Sequence, residues 1–369
     1  MRNRLLTLIG CLALSATGVL LNPASLGAQS EATTSDTFPR TADGHPDFSG
    51  IYDVATITPV ERPAQYGDRL ILTDEEVAEM EQYEKERTER DLEPVDPNRG
   101  APPVGGDTTP VGSYLEGLFR AGGGVVGGYN LVWVSPGEQA AMLDGQKRTS
   151  LIVDPVNGRV PPMTAEARQR NAALLANSAS PDAAESASGG QFDGPEARPL
   201  AERCILGFLS TSGPPTLPNY FYNNLKVIAQ TADTVMIYNE MVHDVRIIRI
   251  GGEHPSSNIK LWLGDSIGHW EGDTLVVETT NFTNKTRFRG SGENLKVVER
   301  FTPTDNGRIH YRFTVEDPTT WERTWTGEYP WVPSGDEIYE YACHEGNYAL
   351  ETVLRAARLE EKEAASNQQ

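Results

Sequence analysis

The sequence predicts a mainly β protein with a few peripheral helices, its C-terminal half forming an antiparallel, lipocalin-like barrel or sandwich. Three observations carry that reading. Beyond Pro199 the apolar residues recur with period two, turn signals interrupt them roughly every 8–12 residues, and no helical pattern intervenes. Five of the six Trp lie between positions 262 and 331, so this half owns the core.

Residues 1–28 read as a secretory signal peptide. Met1-Arg2-Asn3-Arg4 is a positive n-region, Leu5 to Leu21 is apolar, and Asn22 to Ala28 holds a breaker and small residues, with cleavage near Ala28. Leu8-Ile9-Gly10-Cys11 also fits a lipoprotein box, and the apolar run is marginal for a retained anchor. Residues 29–198 are expected to be wrapping segments with two helices and Gly/Pro-rich loops. A turn at Asp43 feeds a short strand ending at Asp53. Thr73-Asp74-Glu75-Glu76 is a capping box, which predicts a helix over 74–91 that stops before Pro94. Its thin stripe of Val77, Met80 and Tyr83 places it on the surface. Residues 98–129 form a Gly/Pro-rich loop, Thr149 to Asp154 a strand stopped by Pro155, and Thr164 to about Asn177 a second helix. The Ser/Ala/Gly/Pro run 178–194 marks a boundary.

Residues 199–348 hold the predicted barrel or sandwich. Strand runs are 225–230, 234–250, 258–263, 275–280, 295–301, 308–316, 321–331 and 338–343, with Trp270-Glu271-Gly272-Asp273-Thr274 a tight turn. In the 308–316 run, Ile309, Tyr311, Phe313 and Val315 share one face, opposite Arg308, His310, Arg312 and Thr314. Residues 349–369 are a closing helix and tail, the helical pattern starting at Asn347.

Charge narrows the partners. The chain carries 52 Asp and Glu against 32 Lys and Arg, net −20, and loss of Arg2 and Arg4 with the leader takes this to −22. With no basic cluster, nucleic acid is excluded as a partner. The expected partner is a small-molecule ligand or substrate, with no membrane span after cleavage and a periplasmic or secreted location. Once Cys11 departs, Cys204 and Cys343 remain as either a disulfide or two buried thiols. No zinc spacing is present, no metal is assigned, and the sequence names no cofactor.

Gly122-Gly123-Gly124-Val125-Val126-Gly127 fits G-x-G-x-x-G but lacks the flanking strand and helix, so it reads as a glycine loop. Gly264-Asp265-Ser266-Ile267-Gly268 fits G-x-S-x-G but runs into another strand, so it reads as a loop between strands; a nucleophilic Ser266 is the alternative. Read as a strand, residues 240–246 place Glu240, Asp244 and Arg246 on one face and His243 on the apolar one, where an imidazole is either a satisfied core group or a site group. If the protein is catalytic, the candidates are His243 with Glu240 or Asp244, and His344 with Glu345 at the rim, because His titrates near neutral pH. A metal site would need distant residues such as His243, His254, His344 and Glu345 to converge. Among the arginines 246, 249, 287, 289, 300, 312 and 323, any that faces a lumen needs a carboxylate partner or an anionic ligand. Candidate ligand contacts are Arg246, Trp262, Trp270, Trp321, Trp325 and Tyr329; the aromatic row is either core or cavity wall.

Four segments carry a resemblance: Arg148 to Pro155, Glu202-Arg203-Cys204, Gly264 to Thr279, and Glu340 to Asn347. Through them the chain resembles an uncharacterised family of exported bacterial β-rich proteins marked by a GDSxGxWEGDTLVVxTxxF core, along nearly all of the mature length. The resemblance favours pairing of Cys204 with Cys343, since both lie in matched segments, and implies no catalytic residues. The function expected is an exported protein that encloses a small, partly apolar molecule in a barrel cavity, with acid–base chemistry at His243 if it turns that molecule over. Alternatives are a hydrolase using Ser266 or a metal, and a non-catalytic binding or scaffold protein.

Overall fold

The computed structural model describes residues 38–91, 137–176, 192–207, 213–219, 222–286 and 288–367. The expected signal peptide, the glycine motif at 122–127, the loop expected over 98–129, Arg287 and most of the expected boundary at 178–194 lie outside them.

The first elements are β1 (Gly50–Asp53), α1 (Asp74–Asp91), β2 (Met142–Leu143), β3 (Gln146–Lys147), β4 (Ile152–Asp154) and α2 (Ala165–Ala176). Then come β5 (Leu225–Gln230), β6 (Thr234–Asn239), β7 (Val245–Ile250), β8 (Asp265–Glu271), β9 (Thr274–Thr280), β10 (Lys296–Pro303), β11 (Ile309–Glu316), β12 (Trp325–Pro333) and α3 (Tyr348–Ser366). Strands β5 to β12 are neighbours in chain order, and β1 pairs with both β5 and β12, closing a nine-strand barrel. β4 lies against the start of β12, at Thr326 and Gly327, as an attached tenth strand. A β2–β3 hairpin stands apart.

The alternation read from the sequence is the one that lines this barrel. On β11, Ile309, Tyr311, Phe313 and Val315 point inward and the residues between them outward. The inward faces join one core that includes Tyr52, Ile228, Val277, Phe301, Trp325 and Trp331. A barrel of this strand number has a lumen that side chains can fill.

Several expectations are corrected. The barrel is not antiparallel throughout, because β7 and β8 run parallel. In a closed ring the number of antiparallel pairs must be even, so nine strands require a parallel step. A parallel step needs a crossover of about a dozen residues or more. Residues 251–264 supply it, and the expected strand over 258–263 is therefore a set of turns. The run 234–250 is not one strand, since residues 240–244 turn between β6 and β7. Residues 338–343 form no strand, because β1 and β4 already occupy the free side of β12. The segment before residue 198 also does more than wrap, because its strand β1 closes the ring.

One end of the barrel carries the β8–β9 hairpin and is capped by rings. Trp270 stacks on His45 at 4.4 Å and on Phe48 at 5.8 Å between ring centroids. At the opposite end, Cys343 is joined to Cys204 by a disulfide. There the chain after β12 passes over the β6–β7 turn, where the Tyr341 carbonyl lies 3.3 Å from His243 Nδ1. Among the described residues no helix is long and apolar enough to cross a membrane.

Candidate functional site

Polar groups inside the barrel fall into two sets, one saturated with hydrogen bonds and one not. The saturated set centres on Arg246. Its Nε donates to Ser266 Oγ at 3.0 Å, Nη1 to Glu299 Oε1 at 2.9 Å and Nη2 to Thr279 Oγ1 at 2.9 Å, and Nη2 also meets Glu299 Oε2. The Tyr311 hydroxyl donates to Glu299 Oε1 at 2.7 Å and accepts from the Thr216 amide at 3.0 Å. Tyr329 donates to the Thr216 carbonyl at 2.8 Å, so the buried 213–219 segment is tied into the lumen through its backbone. Burial and the Glu299 charge both push the Tyr311 hydroxyl well above the usual tyrosine range.

This network explains the G-x-S-x-G motif, and it corrects its reading as a loop: residues 265–268 are the first half of β8. Gly264 sits at φ +69°, and a Cβ there would lie 2.6 Å from the Thr280 carbonyl oxygen. Asp265 faces outward and accepts from Arg249 at 2.8 and 3.0 Å and from His254 Nδ1 at 2.7 Å. Burial alone would raise its pKa, but these partners hold it below the usual carboxylate range. Ser266 faces inward to Arg246 and Thr279. A Cβ on Gly268 would crowd Ile250, Ile248 and Leu275 at 3.0–3.1 Å. A nucleophile elbow needs a strained turn into a helix that exposes its hydroxyl, and Ser266 has neither.

The indole N–H groups of Trp321 and Trp325 are buried without a hydrogen-bond partner among the rings of Phe288 and Phe313, and a second, more polar unsaturated set lies at the β6–β7 end. Lys226 is an inward residue of β5, opposite Tyr52 on one side and Asn239 on the other. It is fully buried, and its Nζ has no hydrogen-bond partner; the Oδ1 of facing Asn239 has none either. Nor does the indole N–H of Trp331, whose ring lies 6.3 Å from that of Tyr52. Glu240, Asp244 and Asp53 surround the ammonium electrostatically. Burial outweighs them and brings Lys226 from 10.5 down to about 8, and it raises Glu240 and Asp53 as well. The adjoining turn is strained: Val242, a buried β-branched residue, stands at φ 57°, with His243 at φ 47°.

Lys226 makes stability depend on pH with a definite sign. Above about pH 8 the folded chain has released this proton while the unfolded chain keeps it to 10.5, so unfolding takes up a proton and stability rises with pH. The full interval is worth on the order of 3 kcal/mol. Lys226→Met is therefore expected to lose stability relative to wild type between about pH 7.5 and about pH 9.5, as followed by urea unfolding. Parallel pH profiles for the two proteins would contradict the assignment.

The structure gathers some of the sequence-derived candidates and separates others. Glu240 and Asp244 do sit together, beside Lys226, which the sequence reading overlooked. His243 is not on the apolar face of a strand; it is exposed in the turn. His344 and Glu345 are exposed, and among the described residues no hydrogen bond or ion pair ties them to the others. Arg246 faces the lumen with a carboxylate partner. Trp325 and Tyr329 are buried on β12, and Trp321 is buried in the turn before it; Trp270 belongs to the opposite cap, and Trp262 lies half-buried in the crossover. The remaining arginines within the described residues pair outside the lumen: Arg249 with Asp265, Arg289 with Glu61, Arg300 with Glu271, Arg312 with Glu328 and Arg323 with Asp154. Among the described residues no three His, Cys, Asp or Glu side chains converge as a metal site. Compared with protein-family models and with curated proteins, the chain matches none.

Proposed function

We propose that this is an exported small-molecule-binding barrel whose ligand places a polar head between Lys226 and Asn239 and an apolar body against Tyr52 and Trp331. The observation that carries it is the facing pair of unpartnered atoms, Lys226 Nζ and Asn239 Oδ1, in full burial. A buried polar group without a partner costs about 1–3 kcal/mol, more when charged, and a ligand offering an acceptor to one and a donor to the other would recover that cost. One ammonium among three carboxylates leaves the surroundings short of positive charge, so an anionic head is disfavoured. The ligand class is a neutral, partly apolar molecule with a carbonyl or amide beside a hydroxyl or N–H. The strained β6–β7 turn supports the same end, since backbone strain concentrates at ligand clamps.

The test is native mass spectrometry of protein purified from an exporting host, followed by titration of the released molecule using tryptophan fluorescence. Lys226→Met is expected to weaken binding roughly 10–100-fold, the loss of a charge-assisted hydrogen bond, and Trp331→Phe to weaken it less. Unchanged affinity in both variants, or a bound molecule that is a simple anion, would sink this reading.

A further inference from the structure

A charged cluster with one unpartnered buried donor, Arg148 Nε, lies on the outside of the barrel, away from the lumen. Glu328 on β12 faces outward under the segment at Arg148, and both are over nine-tenths buried. Its Oε2 accepts from Arg312 Nη1 at 2.7 Å and lies 3.2 Å from His310 Nε2, while its Oε1 has only Arg148 Nη2 at 3.4 Å. Arg148 Nε has no partner at all, although its atom is buried. Directly opposite Arg312 in the β10–β11 register stands Arg300, a second outward guanidinium, held by Glu271 at 2.7 Å. Glu271 also faces His269 at 3.3 Å. Like charges in cross-strand register repel, so this arrangement is unfavourable unless negative charge lies near.

The local balance is three arginines against two carboxylates, in a chain of net charge −20. Surface charge that merely kept the protein soluble would follow the chain's acidic average. Here instead a buried guanidinium with a free donor meets a half-exposed one and an imidazole that solvent can reach. Arginine forks match oxyanions two bonds at a time. The geometry points to an anion site on the outer face of β11 and β12, formed by Arg148, Arg312 and His310, for a multiply charged oxyanion of the phosphate or sulfate class. Glu328 serves as the acceptor that holds the two arginines apart and aimed.

Inorganic phosphate is the probe, titrated by calorimetry and by thermal unfolding against sodium chloride of matched ionic strength. Wild type is expected to bind phosphate saturably, with Arg148→Gln weakening it roughly 10-fold or more and Arg312→Gln several-fold. Arg312 is 44% exposed, so that second variant reports even if replacing Arg148 disturbs folding. Sulfate should compete and acetate should not. The assignment is overturned if chloride reproduces the phosphate effect, if acetate binds as well as phosphate, or if Arg312→Gln binds like wild type.

Discussion

Arg246→Met is expected to destabilise the fold by about 3–5 kcal/mol, because it leaves the buried Glu299 carboxyl without its cationic partner. Both groups are buried, at 3% and 0% exposure. Arg246 supplies Glu299 with two of its donors, leaving only the Tyr311 hydroxyl after the substitution. Stranded in this way, Glu299 holds its proton to higher pH in the folded state than in the unfolded one. Stability of the variant should then fall as pH rises from about 4 toward neutrality. The companion experiment is the double change Arg246→Met with Glu299→Gln, which removes charge on both sides. Most of the lost stability should return, since a buried ion pair exchanged for neutral groups of similar volume is often close to neutral. Equilibrium denaturant unfolding measures wild type, Arg246→Met, Glu299→Gln and the double change. A single-variant loss under about 1 kcal/mol, or strictly additive singles and double, would mean the network does not hold the barrel as described.

That network was half legible in the sequence. Alternation along β11 put Tyr311 inward, and the rule that an inward arginine needs a carboxylate anticipated Arg246, but nothing local pointed to Glu299. The partner is 53 residues away and is brought close only by barrel closure. Local signals did better. Thr73 and Glu76 exchange both capping-box hydrogen bonds, at 2.8 and 3.3 Å, and the helix they start runs over the expected 74–91. Gly272 and Asp273 make the tight hairpin between β8 and β9. In each case the physics is confined to a few consecutive residues.

The failures share the opposite character. The turn at 240–244 contains no Gly, Pro or Asn-Gly; it forces Val242 and His243 into a left-handed conformation that a sequence rule assigns elsewhere. The period-two rule therefore assigns His243 to a strand and an apolar face, whereas it stands exposed in the turn. Lys226 did leave a signal: it is in phase with Ile228 on β5, so the period that buries one buries the other. The lysine's own polarity hid this, since charged side chains are almost never fully buried. The His254–Asp265 pair required the parallel β7–β8 step, which no local pattern encodes and which follows only from closing nine strands.

The second large effect concerns the end of the barrel where Lys226 lies. Replacing Cys204 and Cys343 by Ser opens a loop of 139 residues, for which the chain-entropy account gives about 5 kcal/mol. Observed losses on removing a native disulfide are typically about 2–5 kcal/mol. The upper part of that range is expected here only if both ends of the bridge belong to the cooperative unit. Their connections say how far they do. Neither cysteine is on a barrel strand; the Asn347 side chain donates to the Glu202 carbonyl at 3.0 Å, and the Tyr339 amide donates to Glu240. The stretch 334–347 is thus held to the barrel end by scattered hydrogen bonds and one covalent link. Cutting the link should let that stretch open before the barrel melts, freeing the amide that Glu240 accepts. Hydrogen exchange is then expected to rise first at 339–343 and around the β6–β7 turn, with β9 to β11 still protected, while denaturant unfolding shifts by about 2–5 kcal/mol. Intact mass of the denatured wild type should sit two hydrogens below the reduced chain. Uniform exchange across the barrel in the Ser variant would instead make the bridge part of the global fold, and a fully reduced wild-type mass would remove it from the native protein.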